Sequence, residues 1–104
     1  MEPFTEINDT TFEEALSSTS EGMILFHKKL CPHCKNMEKV LDKFASKQPD
    51  VKLMRIDSED CPEAMAHLNV ERVPNLVIIK SGNVVYSKAG LMNPRELLAL
   101  YKKL

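Results

Sequence analysis

The sequence has no tryptophan, only 3 cysteines among 104 residues, and no charge excess, with 14 lysines and arginines against 15 acids. The near-balanced charge gives no reason to expect a nucleic acid or a membrane surface as a partner. The longest apolar runs are far too short to span a bilayer. No low-complexity linker, internal repeat or break in composition divides the chain, which predicts a single domain over residues 1–104.

The first residues, Met1-Glu2-Pro3-Phe4, lack the basic and apolar stretches of a signal peptide. If Met1 is the natural start, this absence predicts a cytoplasmic protein. In such a reducing compartment, three cysteines point to catalytic rather than structural thiols.

What the chain does contain is a pair of cysteines three positions apart, in the tetrad Cys31-Pro32-His33-Cys34. An apolar run at 23–26 precedes the tetrad, and apolar residues at helical spacing follow it, so it is predicted to lie on a strand-to-helix turn. The residues at helical spacing are Met37, Val40, Leu41 and Phe44. Two thiols at the start of a helix can close a small disulfide and reopen it, which indicates a dithiol oxidoreductase.

The two thiols are expected to have different roles. A helix N-terminus favours an anion at Cys31, because its first amides lack partners and the macrodipole is positive there. Pro32 suits the first helical position, since its φ is preset and its missing N–H would be unpaired anyway. Further positive charge is expected from Lys28, Lys29 and a protonated His33. We predict that Cys31 is the exposed attacking thiol, with a depressed pKa, and that Cys34 is the buried resolving thiol.

Two other interpretations of the cysteines stay open. A Cys-x-x-Cys pair is common in zinc sites, and Cys61 and His67 could complete a four-ligand set, although a second close-spaced pair is missing. The paired cysteines could also be small core residues, but such residues need no proline at the helix start. Cys61, which precedes Pro62 at a predicted helix start, is interpreted as a passive surface thiol rather than a regulatory or metal-binding one.

The predicted order of elements is β-α-β-α-β-α-β-β-α. Strands are predicted over 4–7, 23–27, 51–57, 76–80 and 84–87, with a turn at 81–83 between the last two. Helices are predicted from 12 to before 22 with caps from 8–11, from the tetrad to about 47, over 63–68, and from Asn93-Pro94 onward. The last helix is expected to pack Leu97, Leu98, Tyr101 and Leu104. This alternation implies an α/β fold, with a central mixed sheet, helices on both faces and a hairpin at one edge.

With this order, and a Cys-x-x-Cys at the end of the second strand, the chain resembles thioredoxins over nearly its full length. Val73-Pro74 corresponds to the cis-proline step that faces the active-site disulfide in that family, and Gly82 and Gly90 stand where thioredoxins carry glycine. The resemblance implies a thioredoxin fold and substrate contacts at Val73, Pro74, Leu30 and Gly90, with the Val73 backbone open to an extended substrate segment. It also implies protein disulfides as substrates, a reductase or other thiol donor as partner, a monomer, and no cofactor or metal.

The active-site sequence departs from the family pattern. Thioredoxins usually carry Trp-Cys-Gly-Pro-Cys, whereas this chain has leucine before the tetrad and Pro-His inside it. The Pro-His pair resembles that of periplasmic disulfide oxidases, whose extra helical insertion has no counterpart in this chain. A cationic or hydrogen-bonding His33 stabilises the Cys31 thiolate, so we predict a reduction potential between about −270 mV for thioredoxin and about −120 mV for the oxidase.

Three further departures concern the core and the second helix. Leu25 replaces the buried acid that thioredoxins place before the motif, and Leu53 replaces the lysine that partners it. Losing both charges together is coherent, because losing one would leave the other unpaired in the core. We therefore expect slower resolution by Cys34 than in ordinary thioredoxins, without the pH step of a buried carboxylate. Lys39 replaces the proline that kinks the second helix, which predicts a straighter helix.

Two alternative functions are compatible with the tetrad. Glutaredoxins often carry Cys-Pro-Tyr-Cys, but they usually hold glutathione with a Gly-Gly-x-Asp segment, where this chain has Lys88-Ala89-Gly90-Leu91. A metal-binding or partner-docking module on the same fold would use the cysteines to hold zinc or an iron–sulfur cluster. The leading prediction is a thiol-disulfide oxidoreductase that reduces or exchanges disulfides in protein partners.

Overall fold

Five strands and four helices make up residues 4–104, the part of the chain that the computed structural model describes. The strands are β1 (Phe4–Ile7), β2 (Glu21–His27), β3 (Lys52–Asp57), β4 (Asn75–Lys80) and β5 (Asn83–Ala89). The helices are α1 (Phe12–Ser18), α2 (Pro32–Lys47), α3 (Pro62–His67) and α4 (Pro94–Lys103). Their order along the chain is the predicted one.

Strand and helix boundaries differ from the predicted ones by one or two residues. β2 begins at Glu21, where the backbone pairs with Lys80, and β5 continues to Ala89, which pairs with Asn75. Apolar patterns underestimate strand ends because ladder hydrogen bonds join backbone groups, whatever side chain a residue carries. Helix α3 begins at Pro62, one residue before the predicted start, because the preset φ of proline suits the first helical position.

The strands form one mixed sheet in the order β1-β3-β2-β4-β5. β3 runs parallel to both of its neighbours, while β4 is antiparallel to β2 and β5. Helices α1 and α2 supply the crossovers that parallel strands require. The β4–β5 hairpin turns through two residues with positive φ, Ser81 at 53° and Gly82 at 75°, a combination that suits the twist of paired strands.

Alternate residues of the central strands enter two cores, one on each face of the sheet. Ile24 and Phe26 of β2 pack in the core that contains Phe12 of α1, whereas Met23 and Leu25 pack with residues of α2 and α4. One continuous apolar run serves both cores because successive side chains of a strand point to opposite faces. Helices therefore cover both faces of the sheet, as predicted.

Helices α4 and α1 differ in how their N-termini are capped. Asn93 caps α4 through a reciprocal pair, in which its Oδ1 accepts the Glu96 N–H at 2.8 Å and Glu96 Oε1 accepts the Asn93 N–H at 3.2 Å. At α1 the N-cap residue Thr11 makes no capping hydrogen bond with its side chain. Asn8 Oδ1 instead accepts the Thr10 N–H at 2.9 Å, which closes a turn just before the helix.

Helix α4 buries the predicted residues with one exception. Leu97 and Tyr101 are buried against α2 and the sheet, and Leu98 packs at their margin. The prediction that Leu104 packs there is wrong, because it follows the last helical residue and is 39% exposed. No helix within residues 4–104 is long and apolar enough to cross a membrane.

Candidate active site

The tetrad lies between β2 and α2, on the predicted strand-to-helix turn. Cys31 is the N-cap of α2, with extended backbone at φ −118° and ψ 99°, and Pro32 is the first helical residue. The Cys34 amide donates a hydrogen bond to Cys31 Sγ at 3.2 Å. An amide of the helix N-terminus is thus directed at this sulfur, which stabilises negative charge there when the disulfide opens.

Cys31 and Cys34 are joined by a disulfide, and their Cα atoms lie 5.2 Å apart. Cys31 is 7% exposed and Cys34 is 1% exposed. The prediction that Cys31 is exposed is therefore wrong for this oxidised state, because bonding to a buried sulfur holds Cys31 against the protein. The order of exposure is still the one that distinguishes an attacking thiol from a resolving thiol.

The residues around the disulfide are open to solvent. Pro32 and His33 are exposed on the turn, and Leu30 is 96% exposed directly before Cys31. The φ of Leu30 is 54°, in the left-handed region that costs a residue with a side chain about 1–2 kcal/mol. An apolar side chain held outward at this cost is consistent with a surface that contacts other molecules.

Lys29 anchors the loop that carries Leu30. Its Nζ donates to Asp57 Oδ2 at 2.9 Å and to Asp60 Oδ2 at 3.2 Å, and its amide donates to Glu59 Oε1 at 3.1 Å. The hydrogen bonds to Asp57 and Asp60 raise the pKa of Lys29. The expectation that Lys29 adds positive charge to the Cys31 site needs correction, since two carboxylates offset that charge.

Asp57 is the half-buried member of this cluster. Burial alone would raise the pKa of its carboxyl, but hydrogen bonds from the Lys29 ammonium and the Glu59 amide outweigh burial and lower the pKa. The loop before α2 and the loop before α3 are thereby tied together by one ammonium and several carboxylates.

The loop before β4 forms the second part of the site. The Val73–Pro74 peptide bond is cis, and the Pro74 carbonyl accepts the Gly90 amide at 2.9 Å. Gly90 has φ 112°, a conformation that L side chains rarely adopt. Across residues 4–104, neither the amide nor the carbonyl of Val73 has a hydrogen-bond partner. These two backbone groups are open to an incoming segment, and their use by a substrate stays a prediction.

An open groove of about 370 Å³ joins the two parts of the site. Its lining residues are His33, Arg72, Val73, Pro74, Ala89, Gly90 and Leu91. The fold thus brings His33 from the tetrad to the same groove as three predicted substrate-contacting residues. Sequence analysis missed Arg72 and Leu91, which is 54% exposed. Arg72 is adjacent in sequence to Val73, and Leu91 is adjacent to Gly90. Adjacency to these predicted substrate-contacting residues could have identified both as candidates.

Leu25 and Leu53 lie in the core that faces α2 and α4, 0% and 3% exposed. In the part of the chain that the structure describes, the buried polar residues are Thr19 and Asn75, and neither carries a charge. Residues 4–104 therefore supply no buried carboxylate that could take the proton of Cys34. This arrangement agrees with the expected replacement of a buried ion pair by two leucines.

The third cysteine contradicts the expectation of a surface thiol. Cys61 is a free cysteine with 2% exposure, and it belongs to the core between the sheet and helices α1 and α3. The rotation of α3 directs Cys61 and Ala64 inward together, and a helix this short shows too little periodicity to reveal that face.

Asp9 occupies the N-terminus of α3 in place of the Cys61 thiol. Asp9 Oδ2 accepts the Glu63 N–H at 3.2 Å and Oδ1 accepts the Ala64 N–H at 2.8 Å, while Cys61 makes no capping hydrogen bond with its side chain. Burial raises the pKa of Cys61 more than a hydrogen bond with the Asp9 backbone lowers it, and the Asp9 and Asp60 carboxylates raise it further. Cys61 is therefore held as a neutral thiol.

A zinc site built from the cysteines is not assembled. No group of three or more histidine, cysteine or acidic side chains within residues 4–104 is placed to hold a metal ion. His67, the fourth member of the alternative ligand set, packs edge-on against the Phe12 ring at 5.4 Å. The metal-binding alternative therefore finds no support in the arrangement of these residues.

Comparison with known proteins points to one family. The family model described as thioredoxin matches residues 3–103. The thioredoxin of Listeria monocytogenes is 33% identical over 95 residues, which cover 88% of this chain and 89% of that protein. The thioredoxin of Chlamydia trachomatis is 28% identical over 93 residues, which cover 88% and 91%.

Solved structures agree with the sequence comparison. The solution structure of reduced desulfothioredoxin from Desulfovibrio vulgaris Hildenborough is 47% identical and superposes with a TM-score of 0.89, covering 100% of both chains. Oxidised mitochondrial thioredoxin 3 from Saccharomyces cerevisiae is 27% identical, with a TM-score of 0.85, covering 97% of this chain and 95% of that one.

Proposed function

This chain belongs to the thioredoxin family, has the thioredoxin fold and is a thiol-disulfide oxidoreductase, and we propose that Cys31-Pro32-His33-Cys34 is its redox centre. One observation carries the proposal: the Cys31–Cys34 disulfide lies at the N-terminus of α2, where the Cys34 amide donates to Cys31 Sγ. The arrangement stabilises a thiolate at Cys31 and keeps the second sulfur one helical turn away.

In the proposed cycle, Cys31 is the attacking thiol. Its thiolate attacks one sulfur of a partner disulfide, and the other partner sulfur leaves as a thiolate that takes a proton. The thiol of Cys34 then loses its proton and attacks Cys31 Sγ, which breaks the mixed disulfide and releases the second partner thiol. Two electrons pass from the Cys31–Cys34 dithiol to the partner, and a reductase or other thiol donor restores the dithiol.

Resolution by Cys34 is the step that this chain performs differently from ordinary thioredoxins. With Leu25 in the core behind the dithiol, the proton of Cys34 leaves through water, through His33 or through a substrate group. We expect a slow resolution step without an inflection from a buried carboxylate. Quenched-flow measurement of the mixed disulfide between pH 5 and 9 tests this, and fast resolution with such an inflection would contradict it.

Substrate binding is assigned to the groove and its rim. The open backbone groups of Val73 support pairing with an extended segment, beside Pro74 and Gly90, while the exposed Leu30 provides apolar contact. As part of the same proposal, residues 1–104 act as one domain, as a monomer in the cytoplasm. A buried free thiol at Cys61 is compatible with a reducing compartment.

The reduction potential of the Cys31–Cys34 couple tests the role assigned to His33. Equilibration in glutathione buffers, with Cys61→Ala to keep the titration clean, is expected to give a value between about −270 and −120 mV. His33→Gln removes the imidazole that is proposed to stabilise the Cys31 thiolate, and it is expected to lower the potential. A wild-type value at the lower limit, unchanged in His33→Gln, would show that His33 has no electrostatic effect on the couple.

A further inference from the structure

Arg72 combines an exposed position beside the redox centre with an unpaired charge. Its side chain lies next to Val73 on the groove, and inside the range 4–104 its guanidinium has no ion pair or hydrogen bond. Arg55 shows the contrasting case, since it pairs with Glu6 at 2.8 Å and with Glu38 at 3.2 Å. Arg72 is therefore available to bind a group from outside the protein.

The groove is positively charged where Arg72 lines it. Its two titratable lining residues, Arg72 and His33, are both bases, and its other lining residues are apolar or glycine. Glu71 is exposed beside Arg72 in the chain but makes no ion pair with it. Glu96 lines the adjoining pocket, where its carboxylate is held by the Asn93 amide. The lining residues of the groove thus leave the positive charge uncompensated.

The geometry of an extended substrate places its side chains near this charge. A segment that pairs with the open backbone of Val73 has a neighbouring residue alongside Arg72, because paired strands run residue against residue. A guanidinium matches a carboxylate with two parallel hydrogen bonds, and complementary charge raises the rate of association while it rejects partners of like charge.

We propose that Arg72, together with His33, selects protein substrates that carry an aspartate or glutamate beside the disulfide cysteine. This inference rests on the proposed function, because a segment bound at Val73 must present its disulfide to Cys31. Arg72 is a specificity-determining residue in this account and takes no part in the transfer of electrons.

Two peptide disulfides of equal length test the proposal, one with glutamate and one with lysine beside the cystine. The measurement is the rate at which the reduced protein reduces each peptide under second-order conditions, at low and at high salt. We expect the acidic peptide to react about tenfold faster at low salt, with the ratio falling as salt screens the charges. Arg72→Gln is expected to bring the ratio near one, and Arg72→Glu to reverse it.

Arg95→Gln is the matched control. Arg95 is also exposed and unpaired within residues 4–104, but it lies in the first turn of α4 and does not line the groove. Its substitution is expected to leave the ratio unchanged. Because Arg72 makes no ion pair or hydrogen bond within residues 4–104, we expect the variants to unfold at the same temperature, and equal thermal unfolding would show that the effect arises in binding.

The outcomes separate this inference from the proposed function. Equal rates for both peptides, or a ratio that persists in Arg72→Gln, would overturn the role of Arg72 while leaving the redox centre intact. Reduction of neither peptide by the reduced protein would contradict the proposed function itself. Oxidised glutathione carries carboxylates next to its disulfide, and its reduction as fast as that of the acidic peptide would overturn the choice of a protein segment.

Discussion

Helices α2 and α3 begin with the same two residue types, but their N-cap cysteines differ in hydrogen bonding. Each has a cysteine at the N-cap and a proline as its first helical residue, with φ of −118° at Cys31 and −131° at Cys61. Cys31 Sγ accepts an amide from its own helix, whereas Cys61 makes no capping bond with its side chain. A cysteine-proline step at a helix start is therefore insufficient to define a reactive thiol.

The amides of the first turn account for much of the difference. At α2 the Cys34 amide is directed at the cysteine sulfur, while at α3 the corresponding Ala64 amide donates to Asp9. An aspartate cap satisfies the helix N-terminus with a charge of its own, which leaves no favourable place for a thiolate. A helix N-terminus activates a cysteine only where its amides are not already bound.

The two starts also differ in what lies one turn further along the helix. Cys34 gives Cys31 a partner sulfur, whereas the equivalent position in α3 is Ala64, 0% exposed in the core. The first turn of α2 has no acidic residue, and the first turn of α3 carries Glu63. The partner sulfur, the absence of an acidic residue in the first turn and the greater exposure all favour a reactive thiol at Cys31 rather than at Cys61.

The largest expected effect is on activity. Cys31→Ser removes the attacking thiolate, so reduction of a peptide disulfide is expected to fall by about 10³-fold or more. Cys61→Ala is the matched control and is expected to retain at least half of the wild-type rate, because a neutral buried thiol takes no part. Comparable losses in the two variants would contradict the distinction between the two helix starts.

Removal of the Asp9 cap sharpens the comparison through stability. Asp9→Ala leaves the Glu63 and Ala64 amides without their partner, which is expected to cost about 1–2 kcal/mol in the free energy of unfolding. Urea denaturation measures the cost, with the exposed Asp50→Ala as control. Alkylation of Cys61 in the native protein should also become faster, because a carboxylate that raises its pKa is gone. Unchanged stability would show that the cap is unimportant.

The acid dependence of stability tests the cluster that joins the two loops. The pKa of Asp57 is lowered below its ordinary value of 3.8, so its contribution to stability is present above that pH and is lost as pH falls through the folded-state pKa. Lys29→Gln removes the ammonium that lowers this pKa. The stability difference between wild type and variant is therefore expected to shrink below about pH 4 in a series of urea denaturations. A difference that stays constant down to pH 2.5 would rule out this coupling.

The smallest change is expected when the cysteine spacing of α2 is introduced into α3. Ala64→Cys in a Cys31→Ser background gives α3 the same cysteine spacing that α2 has. We expect no recovery of activity, because Cys61 is 2% exposed and its helix amides are bound by Asp9. Turnover by this double variant above the level of Cys31→Ser alone would show that spacing outweighs surroundings.

The sequence predicted the parts of this account that depend on local pattern. Alternating apolar segments indicated the element order, and the Cys-x-x-Cys spacing placed the tetrad on a strand-to-helix turn, since both signals lie within a few residues. The long-range contacts around Asp9 and Lys29 were not predicted. Asp9 and Ala64 are 55 positions apart, and Lys29 and Asp57 are 28 apart, so neither contact leaves a trace in a local pattern.

The apolar periodicity of the sequence also could not predict which residues are buried at chain ends and in short helices. Cys61 belongs to a helix of 6 residues, too short for an apolar face to repeat, and Leu104 lies just past the end of a regular one. Arg72 was overlooked because a single charged residue in a loop has no periodicity at all. Its significance arises only from the groove that it shares with His33.

Competitive alkylation of the reduced, native protein tests the central distinction most directly. Iodoacetamide labelling over a pH series, with each cysteine quantified by mass spectrometry, compares Cys31 and Cys61 in one sample. We expect Cys31 to react at least about a hundredfold faster than Cys61 at neutral pH, with a midpoint below the value of about 8.5 for a free cysteine. A rate for Cys61 equal to that of Cys31, or a Cys31 midpoint at or above the free value, would contradict it.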